Sequence, residues 1–391
     1  MDRRNFIRLA GGGVVLAASA AGVGACASGG GYPAQAVEAW QGPGDETDPR
    51  RRALAYAITA PNPHNLQPWL ADLREPDLIR VYTDPQRVLP ETDPFGRQIL
   101  IGHGAFLELL VMALAEQGLD SRVTLWPEGE LGARVQDWDR RPIATVALAR
   151  GGRPDPLFAQ VLRRHTAKSD YDTTRPVSPQ VLAALTEAGR SATVAAAGTV
   201  DGQRLPALRR LCWDAAQVEI HTPATVMESL RLTRVGPAEI LQHRDGISLN
   251  SPMLRALKAV GMLDRTQPPA EGSAGHQHAM RRFKGHSDTA MGFVWQTTAG
   301  NSRSDQLQAG RAYVRLQLKA TEIGVAVHPM SQALQEFDAM RPHHEAVHRQ
   351  LLGVAAPRTT TDATVQMFCR LGYPQTPAGP TPRRPLQAFI V

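Results

Sequence analysis

Cysteine is nearly missing from the chain: Cys26, Cys212 and Cys369 are the three in 391 residues. That scarcity excludes a disulfide-stapled scaffold, and Cys212 and Cys369 read as separate buried thiols. Long basic runs interleaved with aromatic residues are also lacking, so the electrostatic footprint of a nucleic-acid binder is not there. The formal charge is +6, and Arg3, Arg4 and Arg8 against Asp2 supply +2 of it, leaving a mild +4 on the rest. Such an excess suits a small dianionic ligand. The apolar N-terminal run Leu9 to Val23 is rich in glycine and, at roughly 15 residues, short of the ~20 that a spanning helix needs.

What is present begins with a targeting segment. Arg3-Arg4-Asn5-Phe6-Ile7-Arg8 ahead of that run looks like a twin-arginine export signal over residues 1–27. Val23-Gly24-Ala25-Cys26 resembles a lipobox, giving a lipid anchor at Cys26, while Ala25-Cys26-Ala27 fits a peptidase site instead. Passage through the twin-arginine machinery implies a protein exported folded, often with a cofactor seated. A periplasmic or outer-face membrane-anchored location is expected. Residues 28–47 read as a Gly/Pro/Gln-rich tether, and the hydrophobic content of 42% over this length predicts two globular units.

The stretch around which the rest is arranged is Ala60 to Trp69, APNPHNLQPW. Its prolines forbid helix continuation and hold Asn62, His64, Asn65 and Gln67 at fixed places, a rigid polar loop suited to a planar polar ligand. A helix opening at Asp48-Pro49 precedes it and a strand over Asp77 to Thr83 follows. In the segment 97–117, Phe106, Leu107, Leu109, Leu110, Val111, Met112 and Leu114 leave no polar face apart from Glu108 and Glu116, which predicts a helix buried all round. Ile143 to Ala149 reads as a strand. Beyond about 153, helices are expected at Phe158 to Thr166, at Val177 to Ala188 with Ser178 as N-cap, and at Leu205 to Gln217. A strand near Thr193 to Ala197, a long helix at Ser304 to Glu322 and a strand at Ala363 to Arg370 complete the set.

The chain repeats itself. Gly104 to Gly118 and Gly310 to Gly324 share first and last glycines and the glutamates Glu116 and Glu322, and ATVALARGG at 144–152 parallels ATVQMFCRLGY at 363–373. A period this long implies a duplicated domain, with halves at 48–152 and 153–391. The irregular segment 236–300 has no counterpart in the first half and reads as a lid.

These residues together resemble the nitroreductase-like FMN flavoproteins, in their fused-tandem, Acg-type branch. APNPHNLQPW carries the likeness with the DPxxR turn and its glycine-led helix, RRHT at 163–166, AGRAYVRLQLKATEIGVAVHPMSQ at 309–332, and LGYP followed by Pro382-Arg383-Arg384-Pro385-Leu386. The resemblance implies an α+β fold, two halves forming a pseudo-dimer, each with a central antiparallel sheet and packed helices, and FMN between them. It implies electron transfer from a reduced nicotinamide to nitroaromatic, quinone or similar acceptors. It also implies a phosphate clamp from Arg164 and Arg384, with Arg163 and Arg383 next, Thr166 on a phosphate or ribityl oxygen, Asn62, His64, Asn65 and Gln67 near the ribityl chain or ring, and Pro329, Ser331 and Gln332 near the flavin N5.

Because SATVAAAGTV at the second loop position has no amide, one composite site per chain is expected, in a monomeric pseudo-dimer. An alternative is a flavin-sequestering protein with little turnover. A remoter one is a zinc metallohydrolase using His344-Glu345-x-x-His348, which has the helical spacing of H-E-x-x-H without a third ligand. His103 reads as structural, and His276, His278 and His286 as part of a mobile basic loop.

Overall fold

The structure, a computed structural model, describes residues 31–391. The export-signal and Cys26 expectations lie outside the described residues. The described part of the expected tether is docked: α1 (Ala34–Val37) leads into a 3-10 turn, Glu38–Gln41. Ala36 is fully buried there, and its carbonyl accepts from Arg383 N at 2.8 Å.

In the first half, α2 (Pro49–Ala57) is capped by Asp48, whose carboxylate accepts from Arg50 N at 2.8 Å. Then come β1 (Trp69–Asp72), β2 (Leu78–Thr83), α3 (Arg97–Ala115), β3 (Leu119–Leu125) and β4 (Ala144–Arg150). Strand β1 is additional to the sequence reading, since Pro68 and four residues of mixed polarity hide it. The second half opens with α4 (Pro179–Ala188), capped by Ser178, and β5 (Val194–Thr199). An insertion follows: α5 (Leu205–His221), α6 (Pro223–Arg231), β6 (Thr233–Val235), α7 (Gly236–His243), β7 (Ile247–Leu249), α8 (Pro252–Ala259) and α9 (Ala274–Asp288). The remainder is β8 (Gly292–Thr298), α10 (Arg303–Ile323), β9 (Ala326–Pro329), α11 (Arg341–Leu352) and β10 (Thr364–Gly372).

The result is an α+β fold with two four-stranded antiparallel sheets, ordered β1-β2-β4-β3 and β5-β8-β10-β9. Both follow one plan, first strand, second, fourth, third, with the long helix between the second and third. The insertion sits between the first and second strands of the second sheet, spanning 200–291. The expected lid at 236–300 is thus displaced: it starts too late and runs into β8, a strand buried at all but one position. Its supposed mobile loop is the helix α9, started by Ser273 accepting from His276 N at 3.3 Å. The expected helix at Phe158 to Thr166 is a 3-10 stretch, Pro156–Arg163, and Arg164 is already extended.

Helices α3 and α10 form the centre. Helix α3 is long and apolar enough to cross a membrane, yet lies mostly buried inside the molecule. The two helices cross at the repeat's leading glycines: a Cβ on Gly104 would lie 2.0 Å from Leu307 O, and one on Gly310 would lie 1.9 Å from Ile101 O. Each glycine therefore meets the carbonyl three residues before its counterpart, a two-fold contact that only the missing side chains permit. Polar staples flank it. Glu108 accepts from Arg311 at 2.8 Å and Arg315 at 2.9 Å. Arg97 reaches the carbonyls of Leu334 and Gln366, each at 2.7 Å, and Arg303 reaches back to Gly132 at 2.6 Å and Ala133 at 2.9 Å. Finally the tail leaves the second half: Phe389 is fully buried in the core with Trp69 and Phe106, and Val391 N donates to Ala71 O at 3.0 Å.

Candidate functional site

The Ala60–Trp69 loop is strained and held. His64, Asn65 and Gln67 take positive φ of 49°, 53° and 52°, a left-handed region that non-glycine residues enter at a cost of about 1 kcal/mol or more each. Asn62 fixes the bend, its Oδ1 accepting from Gln67 N at 2.9 Å and its amide donating to Ala60 O at 3.1 Å. Asn65 donates to Pro382 O at 3.0 Å and accepts from Arg383 Nη1 at 2.7 Å. Gln67 donates to Arg244 O and accepts from Arg384 N, both at 2.9 Å. These amides therefore pin the C-terminal tail and the end of α7 to the loop. His64 pairs with Ser229 Oγ of α6 at 3.0 Å, and burial followed by the charge of Lys168 lowers its pKa to about 4.

Beside the loop lies a buried cluster of cations. Arg164 and Arg383 converge on one oxygen, Thr59 O, at 2.9 and 3.0 Å. Arg383 also donates to Ile58 O at 2.8 Å and Thr381 Oγ1 at 2.7 Å. Arg164 is 2% exposed and Arg383 3%, and neither makes an ion pair among the described residues. Burial lowers Arg164 to about 10; burial, then the neighbouring Arg164, lowers Arg383 to about 9. The Nε of Arg164 and the Nδ1 of His165 are buried with no hydrogen-bond partner among the described residues. Trp40 covers all three, its ring centroid 5.7 Å from the Arg164 guanidinium, 5.1 Å from that of Arg383 and 4.7 Å from the His165 ring.

Two of the four expected clamp arginines face elsewhere. Arg163 is exposed at the end of the 3-10 stretch, and the chain turns extended at Arg164, which is buried. Arg384 turns to the tail, donating to Gln67 O at 3.3 Å and Ala388 O at 3.0 Å. The pair brought together is Arg164 with Arg383. Thr166 is half-buried and makes no side-chain hydrogen bond among the described residues.

A second basic group lies further along the same segment. Lys168 is accessible yet deeply surrounded, and desolvation, then Arg282, lowers its pKa to about 8. Arg370 ties this region together, donating to Ser169 O at 2.8 Å, His286 O at 3.0 Å and His328 Nδ1 at 3.0 Å. Pro329 pairs with Cys369 in the sheet, and the half-buried Ser331 and Gln332 follow it, with Gln332 bonded to Glu219. Sequence reasoning missed Lys168, Arg370 and Trp40. Lys168 had a signal, since Arg164, Thr166 and Lys168 fall at alternate positions; Trp40 had none.

The zinc reading fails on geometry. His348 Nδ1 donates to His344 O at 2.8 Å and its Nε2 accepts from Val365 N at 3.1 Å, so no lone pair is left for a metal. Among the described residues no three His, Cys, Asp or Glu side chains are grouped to hold a metal ion. His276 packs on His221 at 3.3 Å, while His286 packs on His328. His103 is structural, donating to Ile99 O at 3.0 Å and paired with Thr83 Oγ1 at 2.9 Å.

An α+β pseudo-symmetric fold with buried arginines between its halves is the class that the geometry defines, and the comparisons fall in the same direction. The chain is 27% identical over 355 residues, 87% of its own length and 90% of the relative's, to the provisionally named NAD(P)H nitroreductase Rv3131 of Mycobacterium tuberculosis. It is 37% identical over 81 residues, 21% of this chain and 24% of the relative, to the likewise provisionally named NAD(P)H nitroreductase acg of the same organism. Among solved structures, a Bacteroides fragilis nitroreductase with bound FMN aligns at a TM-score of 0.33 and 14% identity, over 59% of this chain and 95% of that one. The FMN and NADPH-dependent nitroreductase NfnB from sphigopyxis sp. aligns at 0.33 and 18% identity, over 61% and 98%. No family model matches the chain.

Proposed function

We propose that this chain is an exported, FMN-dependent, nitroreductase-like oxidoreductase. It would carry two electrons at a time from a reduced nicotinamide or another donor to nitroaromatic, quinone or similar acceptors. The observation that carries the reading is the pair Arg164 and Arg383, buried with no carboxylate partner among the described residues and with the Nε of Arg164 left unpartnered among them. Two buried guanidinium groups without an anion are costly, and a phosphate monoester is the ligand whose charge and acceptors match them. The relatives' printed names supply the redox chemistry, and FMN, when bound, supplies acceptance and donation of a hydride.

The protein's own residues have distinct parts in this reading. Arg164, Arg383 and Thr166 bind the phosphate end. Asn65 and Gln67 hold the tail so that Arg383 stays aimed. Lys168 would supply a positive charge beside the bound cofactor. The halves of the chain derive from one duplicated unit; the turn from α4 to β5, residues 189–193, is too short to rebuild the Ala60–Trp69 loop, which supports one composite site. Export by the twin-arginine route and lipid attachment at Cys26 belong to the same proposal.

A second reading, flavin retention with little turnover, is favoured by one feature. The insertion closes on the loop, through Ser229 to His64, Arg244 to Gln67, and Gly246 N to Asn65 O at 3.1 Å. The deciding experiment is the visible spectrum of the purified protein, then its bleaching by NADH or NADPH. We expect about one FMN per chain by the composite-site argument. A colourless protein that FMN cannot reconstitute would overturn both readings, and a yellow protein that nicotinamide does not bleach would leave the retention reading.

A further inference from the structure

The cation pair is closed off by one segment, residues 32–46, which crosses from the insertion to the tail. Tyr32 Oη donates to Ser248 O at 3.3 Å, Glu38 pairs with Arg244 at 2.7 Å, Arg383 N bonds Ala36 O at 2.8 Å, and Trp40 Nε1 donates to Thr381 O at 2.8 Å. Each anchor joins this strap to a residue on or beside the candidate site. Beside it lies a cavity of about 190 Å3, lined by Glu38, Gly42, Glu46, Ile58, Arg384 and Gln387 and not by Arg164 or Arg383. With the strap down, Arg164 is 2% exposed and Arg383 3%, too little for a ligand phosphate to reach either.

We infer that the strap is a latch and that Trp40 is its specificity- and residence-determining residue, covering the phosphate end of the ligand and slowing its exchange. The inference rests on the flavin reading above. The geometry gives Trp40 two tasks. Its ring faces both guanidinium groups and partly satisfies them while no anion is there, and over a seated phosphate the same indole excludes water from the ion pairs. The ligand therefore enters only when the Trp40–Thr381 and Glu38–Arg244 contacts open together, and it leaves by the same route. Discrimination follows: a flavin lacking phosphate leaves the arginines unpaired beneath the indole, so closure favours FMN over riboflavin.

The test is stopped-flow release of FMN and of riboflavin, read by flavin fluorescence, from the full protein and from Trp40→Ala, Trp40→Phe and Glu38→Ala. Glu38 lies at the surface, so its variant folds even where Trp40→Ala does not, and far-UV circular dichroism checks each. FMN release from Trp40→Ala should be faster by about tenfold or more, with Trp40→Phe intermediate and Glu38→Ala raised about twofold. Riboflavin release should change less, narrowing the preference for FMN. Unchanged FMN release in folded Trp40→Ala and Glu38→Ala would overturn the latch while leaving the flavin reading intact. Failure of the unaltered protein and all variants to bind either flavin would overturn the flavin reading itself, and the latch with it.

Discussion

Arg164 and Arg383 look alike by burial, but they differ in what holds them. Arg383 donates to carbonyls of Ile58, Thr59 and Ala60, to Asn65 and to Thr381, so it organises the backbone around it. Among the described residues Arg164 has one acceptor, Thr59 O, and an orphaned Nε. Its pKa, pushed down to about 10 by burial, means that its cation is penalised in the folded protein at any pH below that value. Replacing a buried, poorly paired charge by an apolar side chain of similar length is neutral or stabilising by about 1 to 2 kcal/mol. Arg164→Met should therefore raise the urea midpoint of the flavin-free protein while abolishing FMN binding, whereas Arg383→Met should lower both. A lowered midpoint for Arg164→Met would show that the residue is structural. Sequence could identify RRHT and the Arg383-Arg384 pair as basic motifs, but not which member of each faces inward. That depends on the extended geometry at Arg164 and on Gln67 capturing Arg384, neither of which composition records.

At the scale of elements, the burial of α3 was the most legible feature, because a helix buried all round shows as an apolar run; Gly104 and Gly310 were legible only as a repeat, and their close approach is a finding of the structure. The insertion was the least legible. Its helices carry histidines and arginines on faces that pack on α5 and on the loop, so they read as irregular, and β8 was hidden at its end. The crossing makes a paired prediction. A Cβ at Gly104 or Gly310 meets a carbonyl oxygen of the facing helix backbone, which cannot rotate away. Gly104→Ala and Gly310→Ala should each cost about 2 to 3 kcal/mol, by overpacking that pushes the helices apart. Gly118→Ala is the control: its φ is 74° but nothing lies within 4 Å, so only conformational strain of about 1 kcal/mol applies. Denaturant midpoints of the three variants check this. A Gly104→Ala loss no larger than that of Gly118→Ala would mean that the helices have room to part.

For the whole molecule, folding lowers the pKa of eight histidines among the described residues, and five of them are almost wholly buried. Burial lowers His103 and His348 to about 4, His344 to about 3, His286 to about 2, and His328 well below its ordinary value. All five are less than a tenth exposed. Unfolded, each titrates near 6.5, so between that pH and its folded pKa the unfolded chain binds more protons and stability rises with pH. The stabilisation of the neutral rings is thus present above about pH 6.5 and is lost as pH falls through the folded values. Asp93, raised to about 6 by burial, and Glu219 and Glu228, raised by the same cause, act in the opposite sense over part of this range. Glu239, lowered to about 2, adds acid loss only below about pH 4.5, where the unfolded carboxylate takes up its proton. The histidines prevail by number, so the urea midpoint should fall between pH 7 and pH 5, each fully buried ring contributing about 1 to 2 kcal/mol. His103→Gln isolates one of them, since the amide can still bond Thr83 or Ile99 without titrating. Its stability should be lower at pH 7 but less dependent on pH than that of the parent, and equal slopes for the two proteins would show that His103 stays neutral in the unfolded chain or finds a counter-charge in the folded one.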